Sequence, residues 1–249
     1  ERDNKKVIVT SLGQEILKKA QQIKLNVQDI KELAKQNSQA LNHPISLGII
    51  PTVSPYFLPL ILPKIQKEFP NLTLRIEELQ SQFLVKKLKE GELDMAVLAL
   101  PYDLKGLISL KFWEEDFYLV SHKKNENAGE TEIKANQLDQ SKLMLLDDGH
   151  CLKDHILDAC NIANTSKHSL KASSLLTLIQ LVKGQMGSTL VPQMALKELV
   201  GSRKELSISH LNEPGPHREI ALIVRENYAG IESAMLLLEF FKRSLKKIS

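Results

Sequence analysis

Cysteine is scarce: 249 residues hold two, Cys151 and Cys160. That is too few for the disulfide framework of a small secreted domain, and it fits a cytoplasmic setting in which a disulfide is transient and chemical. Long apolar runs are missing as well. No stretch approaches the roughly 18 residues that a membrane span needs, and the apolar run from Ala234 to Phe241 is broken by Glu239. An excess of one charge is nearly absent. The formal net charge of +3 is spread over residues of both signs, which is no footprint for nucleic acid. The cluster Lys242, Arg243, Lys246 and Lys247 reads as cations complementing the dipole of a last helix. HExxH, CxxC, Walker and GxGxxG motifs are all missing, so metal hydrolysis and nucleotide chemistry have no anchor. His150, Cys151 and His155 would make an incomplete metal cluster, and neither metal nor cofactor is expected. The chain opens on Glu1 with no signal-peptide pattern and reads as a piece whose true start lies earlier.

What is present begins with a helix signal. Ser11 followed by Gln14 reads as a capping box, and a proline-free helix is predicted from about Leu12 to Ala40. Its apolar positions are Ile16, Ala20, Ile23, Val27, Ile30 and Ala34, alternately four and three apart, which is a heptad seam. So narrow a stripe predicts pairing with another helix, most simply in a homodimer. The alternative is an amphipathic helix lying on its own domain.

Beyond the Asn42-His43-Pro44 break, strand and helix patterns alternate: strand 45–50, helix 56–69, strand 72–77, helix 80–90, strand 95–100. This predicts a parallel α/β sheet with crossover helices. Strand-like runs at 107–112 and 117–121 are interrupted by Glu114-Glu115-Asp116, and residues 123–132 read as an exposed loop. A strand at 143–146, a helix at 151–163, a strand ending near Leu170, a helix at 175–183 and a strand at 188–191 follow. A short helix at 194–200, strands at 206–211 and 219–224, and a last helix at 231–245 complete the pattern.

Four segments carry a resemblance to a known family: RDNKKVIVTSLGQEILKKA (from Arg2), GIIPTVSPYFLP (from Gly48), EGELDMAVLAL (from Glu90) and, most specific, LDDGHCLKD (from Leu146) with Cys160 nine residues after Cys151. Together they resemble the LysR-type transcriptional regulators and, within them, the OxyR branch of hydrogen peroxide sensors. The resemblance implies an α/β fold of two Rossmann-like subdomains joined by two crossovers, similar to a periplasmic binding protein and preceded by a long dimerisation helix. It assigns 1–10 to the remnant of a DNA-binding wing, 11–41 to the linker helix, 44–113 with 217–249 to one subdomain and 114–216 to the other. The winged helix-turn-helix would lie before residue 1. Promoter DNA, RNA polymerase, hydrogen peroxide and further copies of the chain, as homodimer or dimer of dimers, are the implied partners; no membrane is.

The resemblance also implies site residues. Cys151 would be the sensing thiol and Cys160 the resolving one, joined on oxidation as a Cys151–Cys160 disulfide. Thr52, Ser81, His150, Lys153, Asp154 and Arg218 match positions that bind peroxide or stabilise the thiolate. Ser81 stands where the family pattern has Thr and keeps the hydroxyl. Lys153 stands where it has Arg, keeping the charge but losing the planar fork.

Read without the family, Cys151 opens a helix beside His150 and Lys153, which favour a thiolate, and beside Asp147 and Asp148, which oppose one or cap the helix. It is equally readable as a small buried core residue. Thr52 and Ser81 are also ordinary capping hydroxyls, and Arg218 a partner for Glu213 or Glu219. Were both cysteines on one continuous helix, they would stand about 13 Å apart along its axis, whereas a disulfide needs Cα atoms within about 7 Å. Oxidation would then have to unwind the segment. Competing readings are a metabolite-sensing regulator with incidental cysteines, a thiol peroxidase and a solute-binding protein.

Overall fold

The computed structural model describes residues 2–3, 6–7, 9–35, 40–125, 129–163, 170–201 and 203–246. Two short strands, β1 (Arg2–Asp3) and β2 (Lys6–Val7), pair antiparallel ahead of helix α1 (Ser11–Lys35). The cap of α1 lies one residue earlier than the Ser11 box: Thr10 Oγ1 accepts the Gly13 N–H at 3.1 Å. The rest of the predicted helix, residues 36–39, lies outside the described residues. Along α1 the heptad positions Ile16, Ile23, Val27 and Ile30 are exposed in the single chain, and Leu25 is buried. The side chain of Ala34 is outside the description.

The first sheet gathers β3 (Ile45–Ile49), β4 (Leu74–Glu78), β5 (Met95–Leu100), β6 (Leu107–Glu115) and a late strand. Helix α2 (Ser54–Glu68) connects β3 to β4, and α3 (Ser81–Lys89) connects β4 to β5. β3 runs parallel between β4 and β5. Gly48 of β3 is required by packing, since a Cβ there would stand 2.4 Å from a Leu84 methyl of α3. Helix α2 survives its internal prolines for a geometric reason. Pro55, Pro59 and Pro63 are four apart, so they share one face, and all three are exposed. The carbonyls that lose their intrahelical partner therefore face water, while Tyr56, Phe57, Ile61 and Ile65 are buried opposite.

From β6 the chain passes at Asp116 into the second sheet, β7 (Phe117–His122). Then come β8 (Glu132–Ile133), β9 (Leu145–Leu146), α4 (Cys151–Ala159), β10 (Lys171–Ala172), α5 (Leu175–Lys183), β11 (Thr189–Pro192), α6 (Gln193–Leu199) and β12 (Leu206–Leu211). The order β11-β7-β12-β8 forms this sheet, and β9 pairs with β10 beside it. The chain returns through 212–217 to β13 (Arg218–Arg225), which inserts antiparallel between β5 and β6, and ends in α7 (Ile231–Leu245). The expected parallel sheet is thus a mixed one, because its fifth strand enters from the second crossover rather than from a crossover helix.

Two local expectations differ. The acidic run at 114–116 does not interrupt β6, which continues through Glu115. The cysteine helix stops at Ala159 with Cys160 as its cap, followed by Asn161 at a φ of 51°, so it is shorter than predicted.

The core of the first half centres on aromatic rings. Phe57 meets Phe241 edge-on at 5.0 Å and Phe112 at 5.6 Å, binding α2 and α7 to β6. Among the described residues no helix is long and apolar enough to cross a membrane. Phe57→Ala should cost about 3–5 kcal/mol in urea unfolding, since a fully buried ring leaves a cavity that three rigid elements cannot close.

Candidate functional site

The site forms where the two crossover strands lie side by side. Arg218, first residue of β13, is the register partner of Glu115, last residue of β6. Both side chains are fully buried. The guanidinium Nε donates to Glu115 Oε1 at 2.7 Å, and a second guanidinium nitrogen reaches the same oxygen. The other carboxylate oxygen accepts the Met194 N–H at the start of α6, at 2.7 Å. Arg218 also donates to Thr52 Oγ1 and to the Thr52 carbonyl, both at 3.3 Å. The surface acids suggested by sequence are therefore not its partners; Glu219 pairs with Lys111 instead. One residue along, the Phe117 N–H donates to His217 Nδ1 at 2.8 Å, so the outgoing and returning chains are stitched twice.

Cys151 begins α4, with His150 in extended conformation as its cap residue. Gly149 precedes it at a φ of 95°, and a Cβ there would stand 2.7 Å from the Gln80 side-chain oxygen. Both cysteines are free and buried. Burial pushes the Cys151 thiol above its ordinary value, the Ser81 hydroxyl and the Arg218 charge oppose that rise, and Asp154 adds to it. Ser81 Oγ is itself buried and has no hydrogen-bond partner within normal range. Burial likewise pushes the Cys160 thiol up, to about 12, with Glu213 adding its charge.

Thr52, Ser81, His150, Cys151 and Arg218 are thus brought together. His150 is held below its ordinary value by burial, Asp147 opposing, so it offers a neutral imidazole rather than a cation. Asp154 is exposed at the margin. Lys153 is buried but turned away: its ammonium pairs with Asp148, which also takes Lys171. Those two lysines, Lys153 first, hold the Asp148 carboxyl down at about 2. Cys160 lies at the far end of an unbroken helix. Among the described residues no group of His, Cys, Asp and Glu is arranged to hold a metal ion. A cleft of about 500 Å³ opens between the halves, lined by Pro51, Thr52, Tyr56, Glu78, His150 and Ser174.

One residue of this neighbourhood escaped the sequence reading, and a second was read there in a different role. Glu115 looked like part of an acidic interruption, and its burial follows only from the β6–β13 register. His155 was read only as part of an incomplete metal cluster, although its spacing of one helical turn from Cys151 was a usable signal.

The chain as a whole is similar to several known proteins. Residues 38–246 match the LysR substrate binding domain family. The chain is 36% identical over 245 residues to the HTH-type transcriptional regulator EstR of Acinetobacter baylyi, covering 98% of this chain and 81% of that protein. It is 37% identical over 229 residues to a probable hydrogen peroxide-inducible genes activator of Mycobacterium avium, covering 91% and 73%. Among solved structures it is similar to a cysteine-to-serine variant of Corynebacterium glutamicum OxyR with hydrogen peroxide bound, with a TM-score of 0.81 and 33% identity over 100% of this chain and 79% of that one.

Arg218→Met should destabilise the fold by about 3–5 kcal/mol in urea titration, because it strands the Glu115 carboxylate in the interior. Adding Glu115→Gln should recover part of that loss. Purely additive costs would show that the two side chains are not coupled.

Proposed function

The chain belongs to the LysR family of transcription regulators, and we propose that as such a regulator it senses hydrogen peroxide through Cys151. The observation that carries this reading is a buried thiol at a helix start on which Ser81 and Arg218 act, with the same Arg218 holding Thr52, which lines a cleft together with His150. The names of the peroxide-inducible relatives and the peroxide-bound neighbour support it. Peroxide enters from the cleft and is oriented by the Thr52 hydroxyl and the His150 imidazole. The Cys151 sulfur, as thiolate, attacks one peroxide oxygen and the O–O bond breaks. The other oxygen leaves as hydroxide, takes a proton and becomes water, and Cys151 is left as a sulfenic acid. Arg218 and the Ser81 hydroxyl favour the thiolate. Lys153 and Asp154 act at the margin, Lys153 by neutralising Asp148.

The Cys160 sulfur then attacks the Cys151 sulfur, a second hydroxide leaves as water, and the disulfide forms. Two thiols have been oxidised and one peroxide reduced to two waters; a cellular dithiol or glutathione reverses the change. The helix described here keeps the two residues about 13 Å apart, so the disulfide requires α4 to unwind and local oxidation becomes a conformational signal. In this reading 44–113 with 217–249 and 114–216 act as two subdomains hinged at the Arg218–Glu115 pair, and 1–10 belongs to a DNA-binding wing. The exposed seam of α1 pairs with a second copy, giving a homodimer or dimer of dimers. Promoter DNA and RNA polymerase are its partners, in the cytoplasm. The open cleft favours a second reading, a regulator that senses a small organic acid, with a response that survives Cys151→Ser.

A slight molar excess of hydrogen peroxide, followed by disulfide mapping, tests the first reading. An intramolecular Cys151–Cys160 bond should form quickly and be lost in Cys151→Ser and Cys160→Ser; thiols that stay reduced for many minutes would favour the cleft ligand instead. Since burial holds the Cys151 thiol above its ordinary value, sulfenic acid formation should accelerate by up to about tenfold per pH unit from near-neutral to mildly alkaline pH. A rate flat over that range would show a thiolate already present.

A further inference from the structure

Helix α4 has nine residues. A helix so short is not stable alone in water and depends on tertiary contacts. Leu152, Ile156 and Leu157 supply an apolar face. Its polar tie to the first sheet comes from His155, one turn after Cys151. His155 Nε2 bonds the carbonyl of Pro101, directly after β5, at 3.0 Å. The carbonyl can only accept, so Nε2 carries the proton and Nδ1 the lone pair. Nδ1 is buried with no hydrogen-bond partner. The ring is therefore poised as a neutral donor, with no acceptor in place for a second N–H.

We propose that His155 is the positioning residue that latches the cysteine helix to the first sheet in the reduced protein, and that protonating its ring releases the latch. The proposal rests on the peroxide reading above, in which α4 must unwind before Cys160 can reach Cys151. The charged groups facing the ring are Arg218 from β13 and Asp154 and Asp158 from its own helix. Burial first, then Arg218, disfavours the imidazolium, whereas the Pro101 bond and the two aspartates favour it; the net direction is downward. The released helix thus takes up a proton that the latched helix excludes. The latch has full strength above the ordinary imidazole value of about 6.5 and weakens as pH falls below it.

Amide hydrogen exchange of residues 151–160 in the reduced protein reads the latch without any peroxide chemistry. At about pH 7.5, corrected for intrinsic rates, His155→Ala should exchange about tenfold faster than wild type. His155→Gln can donate to Pro101 but does not titrate, so it should keep most of the protection. Near pH 5.5 the wild type should lose protection severalfold and His155→Gln should not. Unchanged exchange in His155→Ala, or an equal pH response in His155→Gln and wild type, would overturn the latch. Near-ultraviolet circular dichroism checks that His155→Ala is folded, and His155→Gln carries the comparison if it is not. Disulfide mapping after peroxide, run separately on wild type, reports whether the peroxide reading itself fails.

Discussion

The buried pair of Arg218 and Glu115 is the constraint on which the site depends. Two full charges lie in the interior at the point where the chain leaves one sheet and returns from the other. Such a pair is a weak source of net stability but a strong source of geometry, since moving either partner alone exposes an uncompensated charge to apolar surroundings. The carboxylate also holds the first turn of α6, and the guanidinium also holds the hydroxyl and carbonyl of Thr52. One ion pair therefore joins the loop after β3, the ends of β6 and β13, and a helix of the second half. The same guanidinium carries the positive charge that opposes the rise of the Cys151 thiol.

In the proposed reading α4 is the element that changes around that fixed point. Its cysteines are separated by the helix that carries them, and burial keeps both in the thiol form at neutral pH. The first supports the wound helix and the second limits reaction to the small thiolate fraction that Ser81 and Arg218 can favour. A rigid hinge beside a short helix that relies on tertiary contacts is a suitable arrangement for turning a covalent event into a change of shape.

Part of the neighbourhood was visible in the residues, where it is built from local motifs, and the rest of the expected site came from the family resemblance. The glycine before His150 answers to a positive φ, the cysteine to a helix start, and Thr52 to the turn after β3; all follow from neighbours in sequence. Arg218 was named, but its partner was not, because the β6–β13 register joins residues 103 apart in the chain. Lys153 was expected to serve the thiol. Its spacing in the helix allows that as readily as it allows Asp148, and only the course of the 147–150 turn and the nearness of Lys171 settle which carboxylate it meets.

The sequence by itself determined the alternation of strands and helices, the heptad face of α1 and the start of a helix at Cys151. These are periodic or local properties, set by hydrophobic spacing and turn chemistry. Only the tertiary structure decided that the first sheet is mixed, that Glu115 is buried as the partner of Arg218, and that His155 reaches across to Pro101. Those outcomes depend on which strand inserts beside which, and on the low dielectric that packing creates around a few polar atoms; neither is a property of any window of the chain.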